Sequence, residues 1–184
     1  MIQRVQSVFL ALAMLFTSLL FSCVLCDFHL PNGDIAIMKM SGFTEITSPN
    51  GINAYQDATM IRFLNDQAVS NSRFPLLLLL TSVQFILLAI TLFSYRNRPR
   101  QLKLCTATFF INILHLGLLF LGPDMLSINL SNSLNLGLEK STARRMVHYQ
   151  WGSFFPFASL ILINLASRFI KKDENLIRSA DRLR

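Results

Sequence analysis

The sequence predicts an all-α integral membrane protein: a bundle of four transmembrane helices with a small β element in the extracytoplasmic loops. Two observations carry that expectation. Of 184 residues, 52% are hydrophobic and only 15% charged, against roughly a quarter charged in soluble domains. The charges are also clustered, leaving four charge-free stretches: Val5–Cys26, Phe74–Tyr95, Leu104–Pro123 and Trp151–Ser167, of 22, 22, 20 and 17 residues. A hydrocarbon layer of about 30 Å takes roughly 20 residues of helix, with a range of about 17–25. Leu, Ile, Phe and Val fill the four stretches without period-2 alternation, which argues against a membrane barrel. Buried helices of a soluble protein are the alternative, but they seldom run so far without a charge.

The expected spans are about 5–26, 74–95, 104–122 and 150–170. They leave extracytoplasmic loops 27–73 and 123–149, a cytoplasmic loop 96–103 and a cytoplasmic tail 171–184, all in one membrane domain. Orientation follows from the flanking Lys and Arg. Arg4, the "RNRPRQLK" loop (Arg96–Lys103) and the tail from Arg168 together hold 11 basic residues, against 6 on the other side. Both termini are therefore expected in the cytoplasm, with the chain in the cell (inner) membrane. The net charge of +7 is then a topology signal. A nucleic-acid partner would need a basic face on a folded domain, and none is visible.

"MIQRVQSVFLALAMLFTSLLFSC" opens the chain in the manner of a signal peptide, and Ser22-Cys23 resembles a lipoprotein cleavage site. The apolar run exceeds the 7–15 residues of a signal core, so a retained first helix is expected. In the first outer loop, "DIAIMKM" (Asp34–Met40) is strand-compatible, and "TEITSPNGINAY" (Thr44–Tyr55) places Pro49-Asn50-Gly51 as a hairpin signal between β-prone runs. In the other outer loop, Ile128, Leu130, Leu134, Leu136 and Leu138 alternate with Ser, Asn and Gly, a half-buried strand pattern. A β element drawing on both loops is expected. Asn129-Leu-Ser is a formal glycosylation sequon of little weight.

At the other end, Arg168, Lys171 and Lys172 stop the fourth helix at the headgroups, where their long stems can snorkel. Beyond them Leu176, Ile177, Ala180 and Leu183 keep a helical stripe. Glu174 and Asp181 lie four residues before and three after Arg178, within pairing distance on a helix. A solvated helical extension is the plainer reading. The sharper one is a docking handle for a cytoplasmic protein or the "RNRPRQLK" loop, oriented by Glu174, Arg178 and Asp181.

"MIQRVQSVFLALA", "DIAIMKMSGF" and "FFPFASLILINLASRFIKKDENLIRSADRLR" resemble a family of small four-helix bacterial inner-membrane proteins of unknown function. The resemblance runs the full length, and the KDExL[IV]RSADRLR-type tail is its most specific part. It implies four helices and the inner membrane, and supplies no activity, cofactor or catalytic residue.

Candidate chemistry is sparse. Cys23 and Cys26 form a CxxC at the outer mouth of the expected first helix, a spacing that suits a redox dithiol. The arrangement is similar to that of quinone-coupled disulfide-generating enzymes, which also have four helices. Those need a second outward cysteine pair, and this chain has only Cys105 left, expected at the cytoplasmic end of the third helix. Cysteine in an apolar helix commonly serves as a small hydrophobe. Gln84, Asn112, His115 and Asn164 are the polar residues at depth. Such groups are candidates for a transport path, but Gln and Asn often serve as interhelical glue, and glue is favoured. His29, His115 and His148 are too scattered in sequence to suggest zinc spacing, and no nucleotide-binding or hydrolase motif occurs. No catalytic residue, cofactor or metal is expected. The favoured function is a non-catalytic accessory or scaffold subunit of a membrane complex, whose partners are the lipid bilayer and a membrane or cytoplasmic protein met through the tail. The alternatives are a thiol-disulfide oxidoreductase using Cys23 and Cys26, and a small transporter or channel lined by Gln84, Asn112 and His115.

Overall fold

The computed structural model describes residues 2–30, 33–47, 59–66, 73–133, 142–143 and 145–182. Four long helices and a four-stranded sheet account for most of them: α1 (Ile2–Leu19), β1 (Val24–His29), β2 (Ile35–Lys39), β3 (Gly42–Thr47), α2 (Arg73–Phe93), α3 (Arg98–Ser133), β4 (Val147–Tyr149) and α4 (Phe155–Arg182). Residues 59–66 are also helical. Three helices are long and apolar enough to cross a membrane, over Pro75–Phe93, Arg98–Asn132 and Trp151–Leu176, while α1 contributes the shorter apolar segment Val5–Leu19. The chain divides into two compact units. One comprises Met1–Ser18, Leu80–Leu116 and Phe155–Arg184, and the other Leu19–Leu79 and Gly117–Phe154.

In the first unit the helices alternate in direction, as the residue pairs between them show. Phe9 stacks on Phe169 and Phe16 meets Phe155, so α1 and α4 run antiparallel. His115 lies 3.2 Å from Gln84, and Gln101 Nε2 donates to the Thr91 carbonyl, so α2 and α3 do the same. Asn112 meets Ser159 and Arg98 meets Asp173, which reverses α4 against α3. The order is up, down, up, down. Leu10, Ala13, Leu88, Cys105, Ile163, Ala166 and Ile170 form the buried core, with a contribution from every helix.

Several helix boundaries differ from expectation. The first helix ends at Leu19 rather than near residue 26, where the Leu19 carbonyl accepts from Ser22 N and Cys23 N, and Cys26 lies in β1. A short, mostly apolar run such as Leu20–Cys26 has no period that separates a buried strand from a helix. The third helix spans Arg98–Ser133 rather than 104–122. At its start Asn97 O accepts from Gln101 N and Pro99 sits in the first turn, where its missing N–H costs nothing. "RNRPRQLK" is therefore mostly helix and not loop. At its far end the helix continues through Pro123 and overrides the strand expected at Ile128–Leu130. Leu126, Ser127, Leu130 and Ser131 are buried, a 3.6-residue stripe that the Ser/Asn alternation had masked. Leu134, Leu136 and Leu138 lie outside the described residues, as does the expected turn at Pro49-Asn50-Gly51. The fourth helix begins at Phe155, after a 3-10 turn at Trp151–Phe154, and runs on to Arg182.

The second unit holds the sheet, in the order β3-β2-β1-β4 and antiparallel throughout. Both loops expected on the outer side contribute, but the second does so through Val147–Tyr149, which pairs with Cys26–Phe28. The β2–β3 hairpin turns at Met40-Ser41, followed by Gly42 at φ +118°, a conformation that side chains with a Cβ resist. Ala36, Met38, Cys26, Phe28 and Phe43 fill the buried face. The edge strand β3 is met by a side chain: Phe43 N donates to Asn65 Oδ1 at 2.8 Å, and Asn65 Nδ2 donates to Phe43 O at 3.2 Å. The amide imitates a neighbouring strand and blunts an exposed edge. Asn65→Leu should lower unfolding free energy by about 1–3 kcal/mol, read as a thermal shift in detergent. An unchanged transition would show that the edge does not need its cap.

Candidate functional site

The polar residues at depth sort into two pairs within the first unit. His115 on α3 places Nδ1 at 3.2 Å from Gln84 Oε1 and Nε2 at 3.4 Å from Thr81 Oγ1 on α2. With the Gln84 oxygen facing the ring, a neutral His115 donates from Nδ1 and accepts at Nε2; the opposite amide placement would reverse the two roles. Thr81 and Gln84 stand three apart on one helix face, which is why one ring reaches both. One turn away on α3, Asn112 Nδ2 donates to Ser159 Oγ on α4 at 2.6 Å, and Ser159 Oγ donates to the Pro156 carbonyl. Thr81, Gln84, Asn112, His115 and Ser159 are all buried. The structure therefore brings Gln84 and His115 together and directs Asn112 to a different helix. Asn164 stands apart from these pairs: it is exposed, on the rim of a cavity of about 230 Å³ that Cys105, Thr106, Phe110 and Ser167 also line.

Thr81 and Ser159 were not singled out from the sequence. Hydroxyls in apolar helices usually back-bond to their own turn, as Thr91, Thr106 and Thr108 do here. Only the i, i+3 spacing of Thr81 and Gln84 pointed to a shared partner.

The cysteines occupy the second unit. Cys26 is fully buried on the inner sheet face with Sγ 3.8 Å from Met38 Sδ, while Cys23 is half-buried in the turn before β1. Burial, reinforced by the charges of Asp27 and Asp124, pushes the Cys26 thiol far above its ordinary range. The thiolate is the reactive form, so this environment suits an inert core side chain better than a redox nucleophile. Cys105 is buried in the helix core, in the second turn of a helix that starts at Arg98.

Contacts distant in sequence give the sheet further polar groups. The His29 and His148 rings lie 4.3 Å apart between centroids, on neighbouring strands. Gln150 Nε2 donates to Asp27. The Tyr149 hydroxyl lies 2.7 Å from the Phe120 carbonyl and 3.0 Å from Asp124 Oδ1, and burial together with the Asp124 bond raises its pKa. Among the described residues no three His, Cys, Asp or Glu side chains are grouped to hold a metal ion. Of the tail residues, Glu174 is half-buried and engaged. Arg178 and Asp181 lie on helical backbone, and their side chains are outside the described set. Among the described residues, Asp173 forms an ion pair with Arg98 at the start of α3, at 2.9 Å, with side chains 14% and 25% exposed.

Residues 2–183 match the family described as Domain of unknown function (DUF4293). The chain belongs to this family. No match was found among curated proteins or among solved structures. The DUF4293 match spans all four helices and every strand, so both polar pairs and the sheet lie inside the family's domain.

Removing one member of the Gln84–His115 pair strands the other in an apolar setting. Gln84→Leu should cost about 0.6–2 kcal/mol in detergent. A double-mutant cycle of Gln84→Leu with His115→Leu should show coupling, and one with Asn112→Leu close to none, since their partners sit on different helices. Equal coupling in both cycles would mean that the two pairs act as one network.

Thiol labelling separates the cysteines. At pH 7.5 a maleimide should modify Cys23 at least about tenfold faster than Cys26 in the folded protein, because burial both shields Cys26 and depletes its thiolate. Since the shift is upward, raising the pH through the ordinary thiol range should speed Cys26 little until the fold opens. Equal rates at pH 7.5 would overturn the burial of Cys26.

Proposed function

We propose that this DUF4293 protein is a multi-pass membrane protein with four crossings that acts as a non-catalytic accessory or scaffold subunit. The observation that carries the reading is the alternating packing of four helices in the first unit. Its buried Gln84, Asn112, His115 and Ser159 side chains pair between helices, and its outer surface is apolar. Phe93, Phe110 and Ile161 are 76%, 64% and 61% exposed, an arrangement that suits lipid and not water. The Gln84–His115 and Asn112–Ser159 pairs suit interhelical glue better than a permeation path, which would keep such groups facing a water-filled cavity.

The fourth crossing rests on α1. Its 18 residues span about 27 Å at 1.5 Å each, just short of a hydrocarbon layer. Its membership of the helix core supports insertion beside the longer helices. With four alternating crossings, both chain ends and the α2–α3 connection share one side. The bias of 11 basic residues against 6 makes that side cytoplasmic, in the inner membrane of a bacterium. Two surfaces are offered to protein partners, the sheet of the second unit outside and the end of α4, with its KDExL[IV]RSADRLR-type tail, inside.

Topology reporters test the arrangement. Fusions after Arg184 and within Arg96–Gln101 should report cytoplasm, and fusions near Asn50 and Asn132 the opposite side. If the Asn50 fusion reported cytoplasm, the charge bias would have been misread and the four-crossing arrangement would fall. Crosslinking in native membranes followed by mass spectrometry should recover a reproducible protein partner. Its loss on deletion of residues 173–184 would locate the contact, and recovery of none would remove the scaffold reading.

A further inference from the structure

Six residues of α4 form one exposed stripe whose polarity is graded along the helix axis. Asn164, Ser167, Arg168, Lys171, Lys172 and Asn175 recur at i, i+3, i+4, i+7, i+8 and i+11, the spacing of a single helix face. All except the half-buried Ser167 are exposed. Neutral polar groups come first, and three cations follow within about 12 Å of axis. Two hollows lie along this stripe. One, of about 230 Å³, is walled by Phe109, Phe110 and Ile163 and carries Thr106, Asn164 and Ser167. The other, an open hollow of about 400 Å³, is lined by Arg168, Lys171, Lys172, Asn175 and Leu176.

The acids of the same helix segment are placed elsewhere. Asp173 projects from the opposite face and is bound to Arg98. Glu174, at the stripe's margin, is half-buried and has a contact of its own. Charges that alternate in sequence are therefore sorted by face, so the basic face does not carry the acids that would oppose an anionic surface.

We propose that this stripe binds an anionic glycerophospholipid, its phosphate on Arg168, Lys171 and Lys172, its ester level at Asn164 and Ser167, and an acyl chain along Phe109, Phe110 and Ile163. The proposal rests on the membrane reading above. Apolar wall, neutral hydrogen-bonding band and cationic end follow one another in the order of a lipid's own parts. A soluble phosphate would use only the last of them.

The test is native mass spectrometry of the full chain, extracted from membranes in mild detergent, with phosphatidylglycerol and phosphatidylcholine of matched acyl chains. Wild type should retain phosphatidylglycerol several-fold better than phosphatidylcholine. Lys171→Gln/Lys172→Gln should reduce that retention by about tenfold or more. Lys103→Gln, a cation exposed near the start of α3, should change it less than about twofold, and soluble glycerophosphate in excess should not displace the lipid. Equal retention of the two lipids, an unaffected double variant, or displacement by glycerophosphate would overturn the site. Carbonate extraction separates the two readings. A protein released into the soluble fraction would sink the membrane reading and this site with it. A protein that stays with membranes yet shows no lipid preference would sink this site alone.

Discussion

A side-chain amide or imidazole that water cannot reach must find its partner inside the protein, and that requirement sets the register of three helices here. Apolar ridges of Leu and Ile pack at several neighbouring offsets with similar energy. A Gln facing a His does not, because sliding by one turn leaves both stranded. His115 between Gln84 and Thr81 locks α2 to α3, and Asn112 on Ser159 locks α3 to α4. Each bond contributes little net stability. Their larger effect is on specificity: the native packing leaves Gln84 Nε2 and Asn112 Oδ1 unpaired, and a misregistered one would lose the partners of Gln84 Oε1, His115, Asn112 Nδ2 and Ser159 as well.

Register set in the middle decides what meets at the end. With Asn112 fixed on Ser159, antiparallel helices bring residues about 14 positions earlier on α3 beside residues 14 positions later on α4, and that is where Arg98 and Asp173 form their pair. Arg98 otherwise sits badly, a cation in the first turn of a helix whose N-terminus is already positive. Asp173 answers that charge. The pair is part-buried, so Coulomb attraction is screened less than at an open surface while desolvation offsets some of the gain. What it does without ambiguity is hold one face of the α4 extension against α3, leaving the basic face turned outward.

How much of this could be read from the sequence depends on how local each cause is. The three long apolar helices were legible, because twenty residues without charge is a property of one segment. The strand at Ile35–Lys39 was legible for the same reason. The end of α1 was not. Leu20–Cys26 is uncharged and mostly apolar, and only pairing with residues 147–149, more than a hundred positions away, makes its end the centre of a sheet. The continuation of α3 was misread because Ile128 and Leu130 suggested period two, whereas the buried set is Leu126, Ser127, Leu130 and Ser131, half of it hydroxyls that no hydrophobic pattern counts. Among the candidate residues, Gln84 and His115 could be named, but their partnership could not, since it depends on the offset between two helices. His29 and His148 were set aside for their distance in sequence and prove to be neighbours across two strands.

Within the second unit, the neighbourhood of Pro123 is where β4 meets the end of α3. Proline has no N–H to give the Leu119 carbonyl, and its ring crowds that turn. Tyr149, the last residue of β4, places its hydroxyl beside the next carbonyl, Phe120 O, and beside the carboxylate of Asp124 immediately after the proline. Its ring packs on Phe120 at 4.9 Å between centroids. Directly beyond, Gly152 brings the following 3-10 turn so close to the Val24 carbonyl that a Cβ would collide with it, while Ser153 Oγ donates to Leu25 O. The residue that closes the sheet thus also holds the turn around Pro123, and the 3-10 turn after β4 packs onto β1. The interruption at Pro123 and the edge at Tyr149 stabilise one another, which is how a strand of three residues, too short to persist alone, keeps its place beside β1.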